Sequence, residues 1–111
     1  MQFKATHRFA DISASKARSV IDLIRGKHVN DALGILRATS KRASYVIDKV
    51  LRSAMANADQ SLEADMENLW VKEAYVDPGP TRRKWWPRAR GKAAEIRSRT
   101  SHIRILLDDT R

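Results

Sequence analysis

Gly79-Pro80-Thr81-Arg82-Arg83-Lys84-Trp85-Trp86-Pro87-Arg88-Ala89-Arg90-Gly91-Lys92 is the stretch whose reading decides the fold. It is crowded with Pro, Gly and Arg, yet strand-like sequence flanks it on both sides. Upstream, Leu69 to Val76 is rich in aromatic and β-branched residues. Its alternation puts Leu69, Val71 and Tyr75 on one side and Trp70, Lys72, Ala74 and Val76 on the other. Downstream, Ile96 to Leu107 reads as a second strand, with Ile103, Ile105 and Leu107 alternating against Arg104 and Leu106. Two neighbouring strands with such a link predict a β-hairpin whose arms run far beyond the sheet. At about 13 residues per arm and roughly 3.3 Å per residue, its tip stands up to about 40 Å away, less any loop residues.

Working outward, Gln2 to Phe9 alternates as well, with Phe3, Ala5, His7 and Phe9 facing one way and Gln2, Lys4, Thr6 and Arg8 the other, the period of a half-buried strand. Ser13 or Ser15 is placed to cap a first helix carrying Ala17, Val20, Ile21 and Ile24 at three- and four-residue spacing, with Gly26 to end it. Asn30 is placed to cap a second, shorter one on which Ala32, Leu33 and Leu36, with or without Ile35, share a face, stopping near Thr39 and Ser40. The clearest period runs through Ala43, Val46, Ile47, Val50, Leu51, Ala54, Met55 and Ala58 and predicts a long core helix. On its outer face Asp48 and Arg52 are spaced for an i,i+4 ion pair. Asp59 to Asn68, acidic and weakly patterned, reads as a solvated loop. The order strand, three helices, strand, strand predicts an α+β fold: a small three-stranded antiparallel sheet packed on three helices, with a long protruding β-hairpin. No repeat or linker divides the chain, so residues 1–111 form one domain, with a body of 1–77 and 105–111 and an extended basic hairpin at about 78–104.

The 111 residues hold 22 Lys plus Arg against 13 Asp plus Glu, a net charge of +9, and no Cys. The absence of Cys excludes disulfides, thiolate metal sites and thiol catalysis, and fits a reducing compartment. Apolar runs are far below the roughly 20 residues that cross a bilayer, and the start, Met1-Gln2-Phe3-Lys4, does not resemble a secretory signal, so an intracellular, cytoplasmic protein is expected. The charge is not spread evenly. Pro78 to Arg104 contains nine basic residues and one acid, Glu95, which is +8 in 27 residues and leaves +1 for the remainder. A two-stranded ribbon carrying that much like charge is marginal in water and is ordered chiefly by what it binds. Arginine offers bidentate phosphate contacts, and Trp85 and Trp86 offer faces for stacking or for filling a gap between RNA elements. The alternative is a solvated loop whose tryptophans pack back on the body or on each other; adjacent exposed tryptophans without a partner would invite aggregation. A second basic set, Lys16, Arg18, Arg25 and Lys27, surrounds the first helix, where a solvated face and an RNA contact suit the residues equally.

Taken together, the Gly79–Lys92 segment, Leu23-Ile24-Arg25-Gly26-Lys27, Asn57, Val71-Lys72-Glu73 and Arg99-Thr100-Ser101-His102-Ile103 strongly resemble, in order and across essentially the whole chain, the bacterial large-subunit ribosomal protein twenty-two family. The resemblance implies a protein with no reaction of its own and no cofactor. It implies binding to 23S ribosomal RNA early in subunit assembly, beside neighbouring large-subunit proteins and not to a second copy of itself. The body would sit near the outer mouth of the peptide exit tunnel while the hairpin threads inward and helps form the wall that meets the nascent polypeptide. By matching position, Arg82, Arg83, Lys84, Trp85 and Trp86 would form the hairpin tip near the constriction, where changes in the family alter macrolide sensitivity. Arg88, Arg90 and Lys92 would lie on the returning arm. With Lys16, Arg18, Arg25, Lys27, Arg97, Arg99 and His102 they make up the expected rRNA-binding set. The chain departs from the family at Trp85-Trp86, where relatives usually carry smaller apolar, aromatic or basic residues. Recognition by shape and phosphate suits a segment with many Arg and few Asn or Gln. The lack of a transit-like leader favours a free-living bacterium over an organelle.

Rival classes fit less well. His7, His28 and His102 are isolated, no nucleophile elbow or phosphate loop is present, and no cluster has metal-ligand spacing. Ser101 and His102 are adjacent strand residues that point to opposite faces, so they cannot act together as nucleophile and base. A helix-turn-helix protein needs its charge on a recognition helix, and a membrane-surface protein needs basic and apolar faces on one helix.

Overall fold

The computed structural model describes residues 1–87 and 93–109; for residues 82–98 the description is of backbone alone, and Arg88, Arg90 and Lys92 lie outside the described residues. The chain runs β1 (Gln2–Ala10), α1 (Ala14–Ile21), α2 (Val29–Ala38), α3 (Arg42–Asp59), a 3-10 turn (Met66–Asn68), β2 (Trp70–Pro87) and β3 (Ala93–Asp108). The sheet is antiparallel in the order β1-β3-β2, so the strand latest in sequence is central. This is the expected α+β architecture of three strands on three helices. Pairing of β2 with β3 continues outward from Trp70↔Asp108 to Pro87↔Ala93.

The long helix runs as its period requires, burying Ala43, Ile47, Val50, Leu51, Ala54 and Ala58, with Arg52 Nε 3.0 Å from Asp48 Oδ2 on the outer face. It packs on the sheet face formed by Phe3, Ala5, Ala74, Ile103, Ile105 and Leu107, and Val20, Ile21, Ile24 and Val29 join the same core.

Both outer strands depart from strict alternation, and each departure is a β-bulge. In β2 the register steps from Val71↔Leu107 to Glu73↔Leu106, leaving Lys72 as the extra residue. The faces exchange there: Val71, Ala74 and Val76 are buried while Tyr75 is exposed, the reverse of the predicted sides for the last three residues. In β1 the register jumps from His7↔Ile103 to Ala10↔Ser101, so Ala10 is buried and Phe9, expected on the side of Phe3 and Ala5, is exposed; His7, before the jump, stays paired with Ile103 but is exposed at the margin of the sheet. Phe9 has a φ of +59°, in the left-handed region that a non-glycine residue enters only when its surroundings impose it. Here the Phe9 N–H donates to His102 Nδ1 at 3.0 Å, and the two rings meet edge to face at 4.9 Å.

Helix ends differ from expectation in two places. α1 stops at Ile21, not at Gly26, and the chain continues in turns that bury Ile24 and reach Gly26 at φ +78°. Ser13 is its N-cap residue, although its hydroxyl makes no capping bond. α2 starts after His28, not Asn30, because the Val29 N–H is tied to Leu69 O at 3.1 Å and the His28 imidazole accepts from the Asn30 N–H. The acidic connection after α3 is exposed for most of its length, with Asp65 Oδ1 accepting from the Glu67 N–H at the 3-10 turn. Where the hairpin leaves the sheet, the register shifts again between Pro78 and Thr81. A Cβ on Gly79 would lie 2.5 Å from Thr100 Oγ1, a hydroxyl already donating to Pro80 O at 2.7 Å, so only glycine fits this crossing.

Candidate nucleic-acid interface

β2 is an edge strand, and the outward-facing carbonyls of an edge normally need water or a covering element. Here the covering element is the run from α1 to the start of α2. Leu69 O accepts from the Val29 N–H, Val71 O accepts from the Gly26 N–H at 2.9 Å, and the Val71 N–H donates to Lys27 O at 2.9 Å. Past the bulge, two arginines take over. Arg25 donates from Nε and Nη2 to Ala74 O at 3.2 and 2.7 Å, and Arg18 from Nε and Nη2 to Val76 O at 3.1 and 2.9 Å. Arg18 lies on α1 and Arg25 on the turns that follow Ile21, and together they reach two carbonyls two residues apart on the strand. Arg25 also reaches Asp22 at 2.8 Å.

The expected basic set therefore divides. Lys16 and Arg99, 83 positions apart in sequence, line one cleft of about 860 Å³ together with Ser13, Ser15, Lys41 and Arg42. Arg18 and Arg25 lie along the β2 edge with their guanidinium groups already bonded to main chain. The Lys27 side chain is exposed beside them, and His102 sits at the base of the hairpin holding the Phe9 amide. Arg8, which no sequence pattern singled out, places its guanidinium 5.3 Å from the Phe9 ring centroid. Lys41 and Arg42 were also missed. Their one sequence signal is that two cations open a long helix, where the macrodipole disfavours positive charge.

Away from this surface, the amino group of Met1 lies 2.9 Å from Asp109 Oδ1, and the Asp65 N–H donates to the other oxygen. The hydrogen bond from the amino group, then that from Asp65, holds the Asp109 carboxyl below its ordinary value, and the same pairing raises the amino group. The Tyr75 phenol, hydrogen-bonded to Glu73, is raised in turn.

Comparison with known proteins gives this arrangement a context. The model of the family described as ribosomal protein L22p/L17e matches residues 5–108. The chain is 52% identical over 109 residues to the large ribosomal subunit protein uL22 of Pelotomaculum thermopropionicum, covering 98% of this chain and 96% of that one. It is 54% identical over 107 residues to the uL22 protein of Carboxydothermus hydrogenoformans, covering 96% and 95%, and 51% identical over 104 residues to that of Ligilactobacillus salivarius, covering 94% and 90%. The class is thus a structural, non-enzymatic protein of the large ribosomal subunit, at work in the cytoplasmic ribosome. Within that class, the chain belongs to the ribosomal protein L22p/L17e family.

Proposed function

We propose that the chain binds 23S ribosomal RNA, supports early assembly of the large subunit, and lends its hairpin to the wall of the nascent-peptide exit tunnel near the macrolide site. In this reading 1–77 and 105–111 form an anchoring body and about 78–104 a probe that enters RNA. The observation that carries it is the placement of +8 of the +9 net charge on the 27 residues from Pro78 to Arg104, the described part of which extends the pairing of β2 with β3 beyond β1, out to Pro87↔Ala93. Arg88, Arg90, Lys92, Arg97 and Arg99 would neutralise phosphates along the probe, with Lys16, Lys27 and His102 doing so at its base. Arg18 and Arg25 would serve the same surface by fixing the β2 edge and offering their remaining N–H groups. Arg82, Arg83, Lys84, Trp85 and Trp86, on the outer part of β2 leading to the tip, would face the nascent polypeptide. Neighbouring large-subunit proteins would contact the body, and the protein would act as a single copy.

Binding of the full chain to 23S rRNA, followed by fluorescence anisotropy from low to high salt, is expected to weaken linearly on a log–log scale with a slope of roughly −4 or steeper. A flat dependence would remove the RNA reading. For the tunnel, deleting Arg82–Lys84 is expected to leave the melting temperature of the free protein nearly unchanged while altering the macrolide response of cells that carry it. Destabilisation of the free protein would instead show that the tip packs on the body.

A further inference from the structure

We propose that the cleft between the start of α1 and the start of α3 seats RNA backbone phosphates, as an anchor separate from the hairpin; this rests on the RNA-binding reading above. Four cations reach the cleft from three elements: Lys16 on α1, Lys41 and Arg42 at the start of α3, and Arg99 on β3. Among the described residues the single acid in its walls is Asp11. It meets Arg42 at 3.6 Å with both side chains about 73% exposed, a geometry in which the pair is weak and screened. Among the described residues, three cations therefore have no acidic partner around this concavity. Like charges converging on a hollow oppose folding, and an anion in the hollow relieves that opposition.

The rest of the lining points to the same ligand. At about 860 Å³ the cleft is large enough for more than one phosphate, and beside Ile12 and Ala43 its walls carry three serines and four cations, a more polar lining than that of a usual small-molecule pocket. Ser13 and Lys41, the cap residues of α1 and α3, make no side-chain capping bond, and neither helix carries an acid in its first turn. Both helix starts therefore keep their partial positive charge toward this side. Lys16 and Arg99 belong to the RNA set expected from the sequence; Lys41 and Arg42 extend it to a helix that had no assigned role in binding. Because Arg99 is also a residue of the hairpin, the cleft would fix the base of the probe to the RNA that the body grips.

The test compares two charge-matched double variants of the full chain. One removes cleft charge, Lys16→Gln with Lys41→Gln. The other removes exposed charge elsewhere, Arg37→Gln on α2 with Lys49→Gln on the outer face of α3. Thermal unfolding by circular dichroism establishes that both fold, and each is then titrated into 23S rRNA across a salt series. Each lost phosphate contact flattens the log–log slope by about 0.7 to 0.9, so the cleft variant is expected to lose about 1.5 from the slope and about tenfold in affinity at low salt, with less than half that change for the other. Equal change in the two variants overturns the cleft while the steep wild-type slope leaves the RNA reading intact; a flat wild-type slope removes both. Inorganic phosphate alone is titrated while the backbone amides of residues 14–16 and 42–44 are followed by nuclear magnetic resonance. Saturation at the phosphate concentration at which RNA saturates them would reassign the cleft to a free anion. An unchanged slope in the cleft variant, with loss of a neighbouring acidic protein from assembled subunits, would reassign it to a protein contact.

Discussion

Truncating Ile105 to alanine is expected to lower the unfolding free energy by about 3 to 5 kcal/mol, measured as a shift of the urea midpoint at constant slope. Ile105 is fully buried at the centre of β3, and its cross-strand partners are Ala5 on β1 and Ala74 on β2. Truncation costs most where neighbours cannot move into the space. An alanine has no side-chain torsion with which to do so, and here one stands on each side. Ile105 thus supplies the bulk of this layer of the sheet, and the cavity it leaves stays open below α3. Against a total stability of about 5 to 15 kcal/mol for a domain of this kind, the loss is a large fraction. Ile105→Val, which keeps most of the volume, is expected to cost only about 1 kcal/mol. A loss below about 1.5 kcal/mol for the alanine variant would mean that the layer relaxes, contrary to the packing described.

The second large effect is expected at the β2 edge. Replacing Arg18 and Arg25 together with methionine keeps most of each aliphatic stem but returns Ala74 O and Val76 O to solvent. A hydrogen bond from a charged donor is worth about 1.5 to 3 kcal/mol when well shielded, and these sites are only partly buried, so about 2 to 3 kcal/mol is expected for the pair. The uncovered edge should also promote concentration-dependent association, visible by sedimentation, because free strand carbonyls template pairing with another chain. A double variant that retains its stability within about 0.5 kcal/mol but binds rRNA more weakly would move both arginines from the fold to the RNA surface.

That pair shows where sequence reading stops. Arg18 and Arg25 are visible as cations beside a helix, but nothing local reveals that strand carbonyls about fifty positions later will take up their hydrogen-bonding capacity. The long helix was legible nearly from end to end because its period runs from Ala43 to Ala58 without a break. The outer strands were legible as strands but not as faces. One unpaired residue, Lys72, is enough to invert everything after it, and a bulge is set by tertiary packing rather than by residue type. In β1 the same kind of event turned Phe9 outward. The basic hairpin segment could be found because its charge is contiguous. The cleft could not, since its cations lie near positions 16, 41 and 99 and only the topology gathers them.

The strand order also sets a timetable. β1 is made first and β2 much later, yet neither outer strand has a partner until the segment around Ser101 to Asp108 is complete, when Gln2 finally meets Asp108. During synthesis the helices can collapse on one another while the sheet waits, with two apolar strands in the interval that invites misassembly. The run from Arg18 to Val29 precedes β2 and is available to shield its outer side as it emerges. What is an edge cover in the finished protein is, on the way there, a guard for an unpaired strand.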